Sequence, residues 1–251
     1  MTKLNQILSK WQPGDVHTLS WLSKHGVEQR TAYQYAQSNS LQKIGSGVFC
    51  RQGDNLHWAG AVRAIQEELG LQIHVGGQTA LYLHGSAHQL SLGGNIILIT
   101  YTKQALPKWI QGNDWNTKIQ LKRSSLFKVG LTYDKAEVNG IKVSLAPREL
   151  AILEYANNQD LSRSFESLSN QMQGLRTLRS RKLQELLEAC CSVKVKRVFL
   201  YLSEQLNLPF FKKLDLDRID LGSGKRVLAK NGKFNSKYLI TVPKDSEDNP
   251  F

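Results

Sequence analysis

Apolar and polar positions alternate at helical spacing in two short segments near the start of the chain. The segment 18–25 opens on a threonine, a residue type that caps helices, and turns Leu19 and Leu22 to one side. Gly26 permits a tight turn at no steric cost. Residues 28–38 then predict a second helix, with its buried positions at Ala32, Tyr35 and Ala36. The pattern indicates two helices joined by a tight turn.

Two short predicted strands follow these helices. Residues 41–44 and 48–51 flank Gly45-Ser46-Gly47, and two strands around a glycine-rich turn are typical of a wing. The segment 18–51 therefore predicts a winged helix-turn-helix. Its exposed face carries arginine and glutamine, the side chains that bind guanine and adenine edges in the major groove. The residues predicted to contact DNA are Thr18, Gln29, Arg30, Tyr33, Gln34, Lys43, Ser46 and Arg51. A winged helix used only for protein contacts is the alternative.

The remaining periodicity predicts further helices and strands in both halves of the chain. Helices are expected at 3–11, 58–69, 79–85, 148–155, 175–187 and 193–206. Strands are expected at 73–75, 95–101, 118–121, 137–145 with a turn at Asn139-Gly140, 214–221 and 237–242. The polar stretch 157–170 is predicted to be a linker, and Gly93-Gly94 is predicted to be a domain boundary. The fold class is therefore a mixed α+β protein, with an N-terminal winged helix-turn-helix domain over 1–93 and an α/β domain over 94–251.

Charge is distributed unevenly along the chain, whose formal net charge is +12. Residues 1–93 hold 7 basic and 5 acidic side chains, whereas residues 161–240 hold 16 basic and 7 acidic ones. The positive field therefore lies mainly in the C-terminal half and not on the predicted helix-turn-helix. That half is expected to contact either nucleic acid or an acidic protein partner, and composition does not decide between them.

Composition also limits the location of the protein. The longest apolar runs are far shorter than a membrane span, and the chain does not open on a charged and then apolar leader. Cys50, Cys190 and Cys191 have no metal-ligand spacing, so reduced thiols in a cytoplasm are expected. No membrane partner is predicted.

Motifs that suggest chemistry are weak. Gly222-Ser223-Gly224-Lys225-Arg226 lacks the spacing of a phosphate-binding loop, and a tight loop that presents Lys225 and Arg226 is the simpler interpretation. Gly76-Gly77 before a helix could hold a phosphate but more often makes a strand-to-helix turn. His84 and His88 have no nearby partner that would complete a zinc site. Asp215, Asp217 and Asp220 are interpreted as a charge ladder on a strand. No catalytic residue, cofactor or metal is therefore predicted.

Several longer strings resemble the AbiEi family of abortive-infection antitoxins, which belong to type IV toxin–antitoxin systems. In the N-terminal part they are Gly45-Ser46-Gly47-Val48-Phe49-Cys50-Arg51, Trp58-Ala59-Gly60-Ala61-Val62 and Val75-Gly76-Gly77-Gln78-Thr79-Ala80-Leu81. In the C-terminal part they are Ala189-Cys190-Cys191-Ser192-Val193-Lys194-Val195-Lys196-Arg197, Asp220-Leu221-Gly222-Ser223-Gly224-Lys225-Arg226 and Tyr238-Leu239-Ile240-Thr241-Val242-Pro243. The resemblance covers nearly the whole chain.

The resemblance implies a non-enzymatic protein with two roles. Its N-terminal domain would bind inverted repeats in its own promoter as double-stranded DNA, with the protein a monomer or weak dimer that binds cooperatively. Its C-terminal domain would neutralise a nucleotidyltransferase-like toxin, directly or through the target of that toxin. The basic residues predicted to serve this role are Lys194, Lys196, Arg197, Lys225 and Arg226. Two alternatives remain open: a transcriptional regulator without a toxin partner, whose C-terminal domain serves oligomerisation or ligand sensing, and an enzyme hidden in the basic C-terminal half.

Overall fold

The computed structural model describes residues 3–85, 94–128 and 130–243. They form two compact units that interleave along the sequence. The first unit holds residues 1–75, 91–123 and 133–145, and the second holds residues 76–90, 124–132 and 146–251. His88 and Gly93, which belong to the predicted histidine pair and the predicted boundary, lie outside the described residues. The boundary at 93/94 stays a prediction.

The described chain combines helices with sheets, so the predicted mixed α+β class is confirmed. The α-helices are α1 Lys3–Leu8, α2 Leu19–Lys24, α3 Gln29–Gln37, α4 Trp58–Arg63, α5 Gly77–Leu83, α6 Lys108–Gln111, α7 Arg148–Asn158, α8 Phe165–Gln173, α9 Ser180–Ala189 and α10 Val193–Gln205. The strands are β1 His17–Thr18, β2 Leu41–Gly45, β3 Val48–Arg51, β4 His74–Val75, β5 Ile96–Thr100, β6 Ile119–Arg123, β7 Asp134–Val138, β8 Ile141–Leu145, β9 Arg226–Val227, β10 Lys233–Asn235 and β11 Ile240–Val242. A π-helical turn, Ala64–Glu68, extends α4.

The first unit contains two sheets. Strands β1, β3 and β2 form an antiparallel sheet in that order, and α1, α2 and α3 pack with it around one core. The second sheet has the order β6-β5-β4-β8-β7 and is mixed. It includes the predicted hairpin, in which Val138 pairs with Ile141 around Asn139-Gly140. Both of these turn residues have positive φ, +52° and +75°, which explains why this dipeptide occurs there.

The second unit is mainly helical. Helix α7 contacts α5, α8, α9 and α10, and its residues Leu150, Ile152 and Leu153 are fully buried. Strands β10, β11 and β9 form a small sheet at the C-terminal end of the described chain, with β9 parallel to β11. The helix predicted over 193–206 is confirmed as α10.

Two expectations from the sequence are wrong in this unit. The predicted linker contains α8, whose Leu168 and Met172 are buried. Residues 214–221 are not a strand: Asp215 caps a 3₁₀ turn, Leu216–Arg218, by accepting a hydrogen bond from the Asp217 amide. The apolar positions of that segment alternate because successive tight turns, like strands, bury only some of their side chains.

The glycine pair at 76–77 does not present a free helix end. The Gly77 amide donates a hydrogen bond to the buried carboxylate of Glu154 on α7, at 3.0 Å. An internal carboxylate therefore occupies the place that a phosphate would take, and the interpretation as a tight turn holds.

Candidate nucleic-acid interface and basic loop

Helices α2 and α3 are held in position by a small core in the first unit. Leu22, Val27, Ala32 and Phe49 are buried there. Gly26 adopts φ +75° between the two helices, a conformation that favours glycine. The predicted helix-turn-helix and its wing strands are confirmed, but β1 and its pairing with β3 were not predicted from the sequence. A strand of only two residues leaves no periodic pattern to detect.

Thr18 helps to hold the helix-turn-helix in position and does not lie on its surface. It is 4% exposed, its hydroxyl accepts a hydrogen bond from the Trp21 amide at 3.4 Å, and its own amide donates to Glu68 at 2.7 Å. The prediction that Thr18 contacts DNA is therefore wrong, because its side chain is committed to capping α2.

The outer face of α3 carries a row of long polar side chains. Gln29, Arg30, Gln34 and Gln37 are exposed and line a shallow groove of about 640 Å³ together with Tyr33. Within the described residues, none of these four side chains makes a hydrogen bond or ion pair. Since no described residue holds these side chains in place, they are available to an external partner.

Tyr33 differs from its predicted position. It is half-buried, and its ring meets the ring of Phe49 edge-on at 5.6 Å. The ammonium of Lys43, on the wing strand β2, lies 5.0 Å from the centre of the Tyr33 ring. Tyr33 therefore joins α3 to the wing, and the polar row and Lys43 lie on adjoining parts of one surface.

The wing is braced by residues that the sequence did not point to. Helix α6 was not predicted, yet a side chain at Gly45 would place its Cβ 2.5 Å from Cβ of Trp109 on that helix. Asn113, just after α6, donates a hydrogen bond to the Ile44 carbonyl at 2.9 Å. Ser46 is exposed at the wing turn, whereas Arg51 is half-buried and donates to the Trp11 carbonyl at 3.3 Å. Arg51 is therefore partly committed to the framework.

A buried charge network lies beside β1 and the π-helical turn. Arg63 donates to Asp15 at 2.8 Å and reaches Glu68 at 2.8 Å, while Nδ1 of His17 lies 2.6 Å from the Glu68 carboxylate. Burial lowers the pKa of His17, and the Glu68 contact offsets this only in part. Burial alone would raise the pKa of Glu68, but the hydrogen bond from His17 and the charge of Arg63 reverse the effect and hold it below the usual value.

The same network supports the helix-turn-helix. The His17 ring stacks on Trp21 of α2 with 3.6 Å between centroids. Because the four network residues are spread over more than fifty positions of sequence, they form no local sequence motif. The network is recognised only by the close pairing of carboxylate and guanidinium groups in the folded protein.

In the second unit, Arg197 is buried, whereas a cation that contacts the toxin was expected to be exposed. It is 1% exposed, and its guanidinium donates to four backbone carbonyls, those of Leu221, Gly222, Gly224 and Leu239, at 2.6–3.2 Å. Arg197 therefore clamps the loop 221–224 against β11. The prediction that it lies on a basic surface is wrong, because these carbonyls bury it.

The remaining predicted cations divide into exposed and buried ones. Lys194, Lys225 and Arg226 are exposed, whereas Lys196 is 3% exposed and so does not belong to an open basic face. The Lys225 ammonium lies 4.9 Å from the centre of the exposed Phe234 ring. The loop thus displays two cations beside an apolar side chain on the small sheet. Sequence reasoning missed Phe234, since an isolated aromatic residue carries no pattern.

The described residues give no sign of a metal centre or a membrane span. They contain no cluster of three or more histidine, cysteine, aspartate or glutamate residues placed to hold a metal ion. Among them, no helix combines the length and apolar character needed to cross a bilayer.

Comparison with known families gives two matches that together cover nearly the whole chain. Residues 94–243 match a family described as a transcriptional regulator, the AbiEi antitoxin of type IV toxin–antitoxin systems. Residues 1–92 match the N-terminal domain of the AbiEi antitoxin, also described as a transcriptional regulator. A comparison with curated proteins gave no match.

A solved structure shares the fold. The RV2827C protein from Mycobacterium tuberculosis superposes with a TM-score of 0.57 and 11% sequence identity, over 91% of this chain and 86% of that one. At this identity the likeness concerns the fold alone, and the family is given by the sequence matches. The chain therefore belongs to the AbiEi family of antitoxins and transcriptional regulators of type IV toxin–antitoxin systems.

Proposed function

We propose that this antitoxin represses its own operon by placing α3 in the major groove of a promoter inverted repeat. The observation that carries the proposal is the exposed row Gln29, Arg30, Gln34 and Gln37, which has no partner within the described residues and adjoins the wing cation Lys43. Arginine and glutamine present the donors and acceptors that distinguish base pairs in the major groove. In this arrangement Lys43 and the wing turn would contact the phosphate backbone.

An electrophoretic mobility-shift titration with the promoter duplex tests the groove assignment. Arg30→Ala should weaken binding by about 1–3 kcal/mol and relax specificity at a single base pair. Lys43→Ala should weaken binding to all sequences alike and reduce the salt dependence of log K by about one. Lys142→Ala, which removes an exposed cation from β8 of the same unit, is the matched control. Unchanged operator affinity in Arg30→Ala would show that α3 is not the reading helix.

Binding should require two copies of the protein on the inverted repeat. One helix of 9 residues reads only a few base pairs, and residues 1–93 hold only 7 basic side chains against 5 acidic ones. A single copy therefore has little non-specific attraction, and the second copy supplies the missing affinity. Scrambling one half-site should cost far more than half of the binding free energy. Equal and independent occupancy of the two half-sites would contradict cooperative binding.

We also propose that the C-terminal domain neutralises a nucleotidyltransferase-like toxin through the loop 222–226. Lys225 and Arg226 are exposed on this loop, and the Arg197 clamp gives them a fixed support. An enzyme that handles nucleotides presents acidic groups and acidic substrates, so a basic surface can bind the toxin or compete for its RNA target. A clamped loop loses less conformational entropy when it binds than a free one.

Growth rescue of toxin-expressing cells tests this second role. The full-length double variant Lys225→Ala/Arg226→Ala should lose protection while keeping its operator affinity in the mobility-shift assay. Lys212→Ala/Lys213→Ala removes two exposed cations from the nearby 3₁₀ turn Phe211–Lys213 and should protect as the parent does. If the loop variant is folded and protects fully, the loop has no part in neutralisation.

A further inference from the structure

A cleft of about 450 Å³ lies within the second unit and is not used by either proposed role. It is formed by the segment before Thr132, the end of α9 and the start of α10. The residues that line it are Phe127, Lys128, Leu131, Glu188, Ala189, Cys190, Cys191, Val193, Lys196 and Asp220.

Lys196 is the unusual member of this lining. Its side chain leaves the first turns of α10 and is 3% exposed, yet within the described residues its ammonium makes no hydrogen bond and no ion pair. The ammonium is not among the fully buried polar atoms that lack a partner, so it keeps a little contact with solvent in the cleft while the rest of the side chain is enclosed. Proteins normally supply a carboxylate or a carbonyl to a charge in so confined a place. Here the cleft itself is the place from which a counter-charge can come.

The two carboxylates in the lining do not fill this role. Glu188 accepts from Gln184 at 2.7 Å with one oxygen and from Arg218 at 3.0 Å with the other. Asp220 accepts from the amide of Gly222 at 2.7 Å. Both groups are thus engaged elsewhere, and Arg218 balances the charge of Glu188.

Two further features make the cleft attractive to an anion. Helix α10 is 13 residues long and begins at Val193, which also lines the cleft, so the positive end of the helix faces it. Lys128 adds an exposed second cation to the lining. The cations and the helix end outweigh Asp220, the one lining carboxylate that has no basic partner among the described residues.

We propose that this cleft, the Lys196 cleft, binds the oxyanion group of a small molecule, a phosphate or a carboxylate, with Lys196 as its principal ligand. The anion pairs with the Lys196 ammonium, which opens into the cleft near the N-terminal end of α10. The lining of the cleft includes neither a residue of α3 nor the exposed loop cations Lys225 and Arg226. It would give the antitoxin domain the ability to sense a small metabolite.

The neighbouring cysteine provides a local assay. Cys191 lines the cleft and is exposed, whereas Cys190 and Cys50 are buried. Burial raises the pKa of each buried thiol to about 11, so both stay protonated at neutral pH. Maleimide modification, followed by mass spectrometry of the intact chain and its peptides, therefore reports on Cys191. Inorganic phosphate, glycerol 3-phosphate and acetate are the probes, each titrated at constant ionic strength maintained with potassium chloride.

At least one probe should slow Cys191 modification in a saturable manner, and the probe that binds most tightly identifies the anion as phosphate, phosphate ester or carboxylate. Lys196→Met, close to lysine in shape but uncharged, should raise the half-saturating concentration roughly tenfold or more, as expected for a lost hydrogen bond between charged groups. Lys128→Met should raise it by a smaller factor. Lys213→Met, which removes an exposed cation away from the cleft, should leave it unchanged.

Several results would overturn the proposal. They are a lack of saturable protection by all three probes in the parent protein, equal protection in Lys196→Met, and an equal loss in Lys213→Met. Circular dichroism of each variant checks folding. Should Lys196→Met fail to fold, protection in the parent protein and its weakening in Lys128→Met decide the matter.

Discussion

The Arg197 clamp leads to a prediction whose size follows from its contacts. In Arg197→Met, the carbonyls of Leu221, Gly222, Gly224 and Leu239 each lose the hydrogen bond from the guanidinium, although Leu239 keeps the one from the Arg226 amide. Gly222 and Gly224 are exposed, so water replaces their hydrogen bonds, but Leu221 and Leu239 are only partly exposed. A hydrogen bond to a charged group contributes about 1.5–3 kcal/mol. Two such losses, offset in part by the removal of a buried charge, amount to about 2–4 kcal/mol.

This loss should be local, and hydrogen exchange can measure it. The amides of Arg226 and Leu228 donate to Leu239 and Thr241 at 2.9 Å, so they exchange only when β9 separates from β11. A cost of about 2–4 kcal/mol corresponds to exchange faster by roughly 30- to 700-fold, since each 1.4 kcal/mol is a factor of ten. Lys194→Met removes an exposed cation from the same helix and serves as the control.

The tryptophans make a second comparison possible. All five tryptophans, at positions 11, 21, 58, 109 and 115, belong to the first compact unit, so tryptophan fluorescence reports on that unit and exchange of the β9 amides on the second. Equal exchange rates in Arg197→Met and the parent, with circular dichroism unchanged, would refute the idea that the clamp stabilises the loop.

Three further predictions concern stability and reactivity. Burial alone would raise the pKa of Glu149, but the hydrogen bonds from Arg179 hold that pKa below the usual value. The Glu149 carboxylate therefore stabilises the fold above about pH 4.5, and this contribution is lost as the pH falls through the lowered pKa. Glu149→Gln should accordingly be less stable than the parent near neutral pH and closer to it in acid, as measured by urea unfolding followed by circular dichroism. Gly60→Ala should lower the free energy of unfolding by about 1–3 kcal/mol, because the added Cβ would lie 2.6 Å from the Gly14 carbonyl oxygen. Gly112→Ala is the control, since a Cβ there meets no close neighbour. Equal melting temperatures of the two variants, measured by tryptophan fluorescence, would contradict this prediction. Under native conditions a thiol reagent should modify one cysteine per chain, Cys191, and reach the other two only after unfolding, so rapid modification of two or more thiols would argue against their burial.

The sequence alone predicted those features that depend on neighbouring residues. Helices α2, α3 and α10 follow from the spacing of their apolar side chains, and the hairpin at Asn139-Gly140 from a dipeptide that accepts positive φ. The capping role of Thr18 and the exposed row on α3 also follow from position within a helix. Each of these features depends on residues within a few helical turns of one another, so the local sequence pattern is enough to predict it.

Tertiary structure alone decided which of the charged residues are exposed. Lys194, Lys196 and Arg197 are neighbours with similar side chains, yet Lys194 is exposed and the other two are buried. The loop 221–224 covers Arg197, and Lys196 lies in the Lys196 cleft. Whether a lysine or arginine side chain is buried depends on which distant part of the chain packs over it, and composition does not show that packing. The network of Arg63 with Asp15, the bracing of the wing and the Lys196 cleft were undetectable for the same reason.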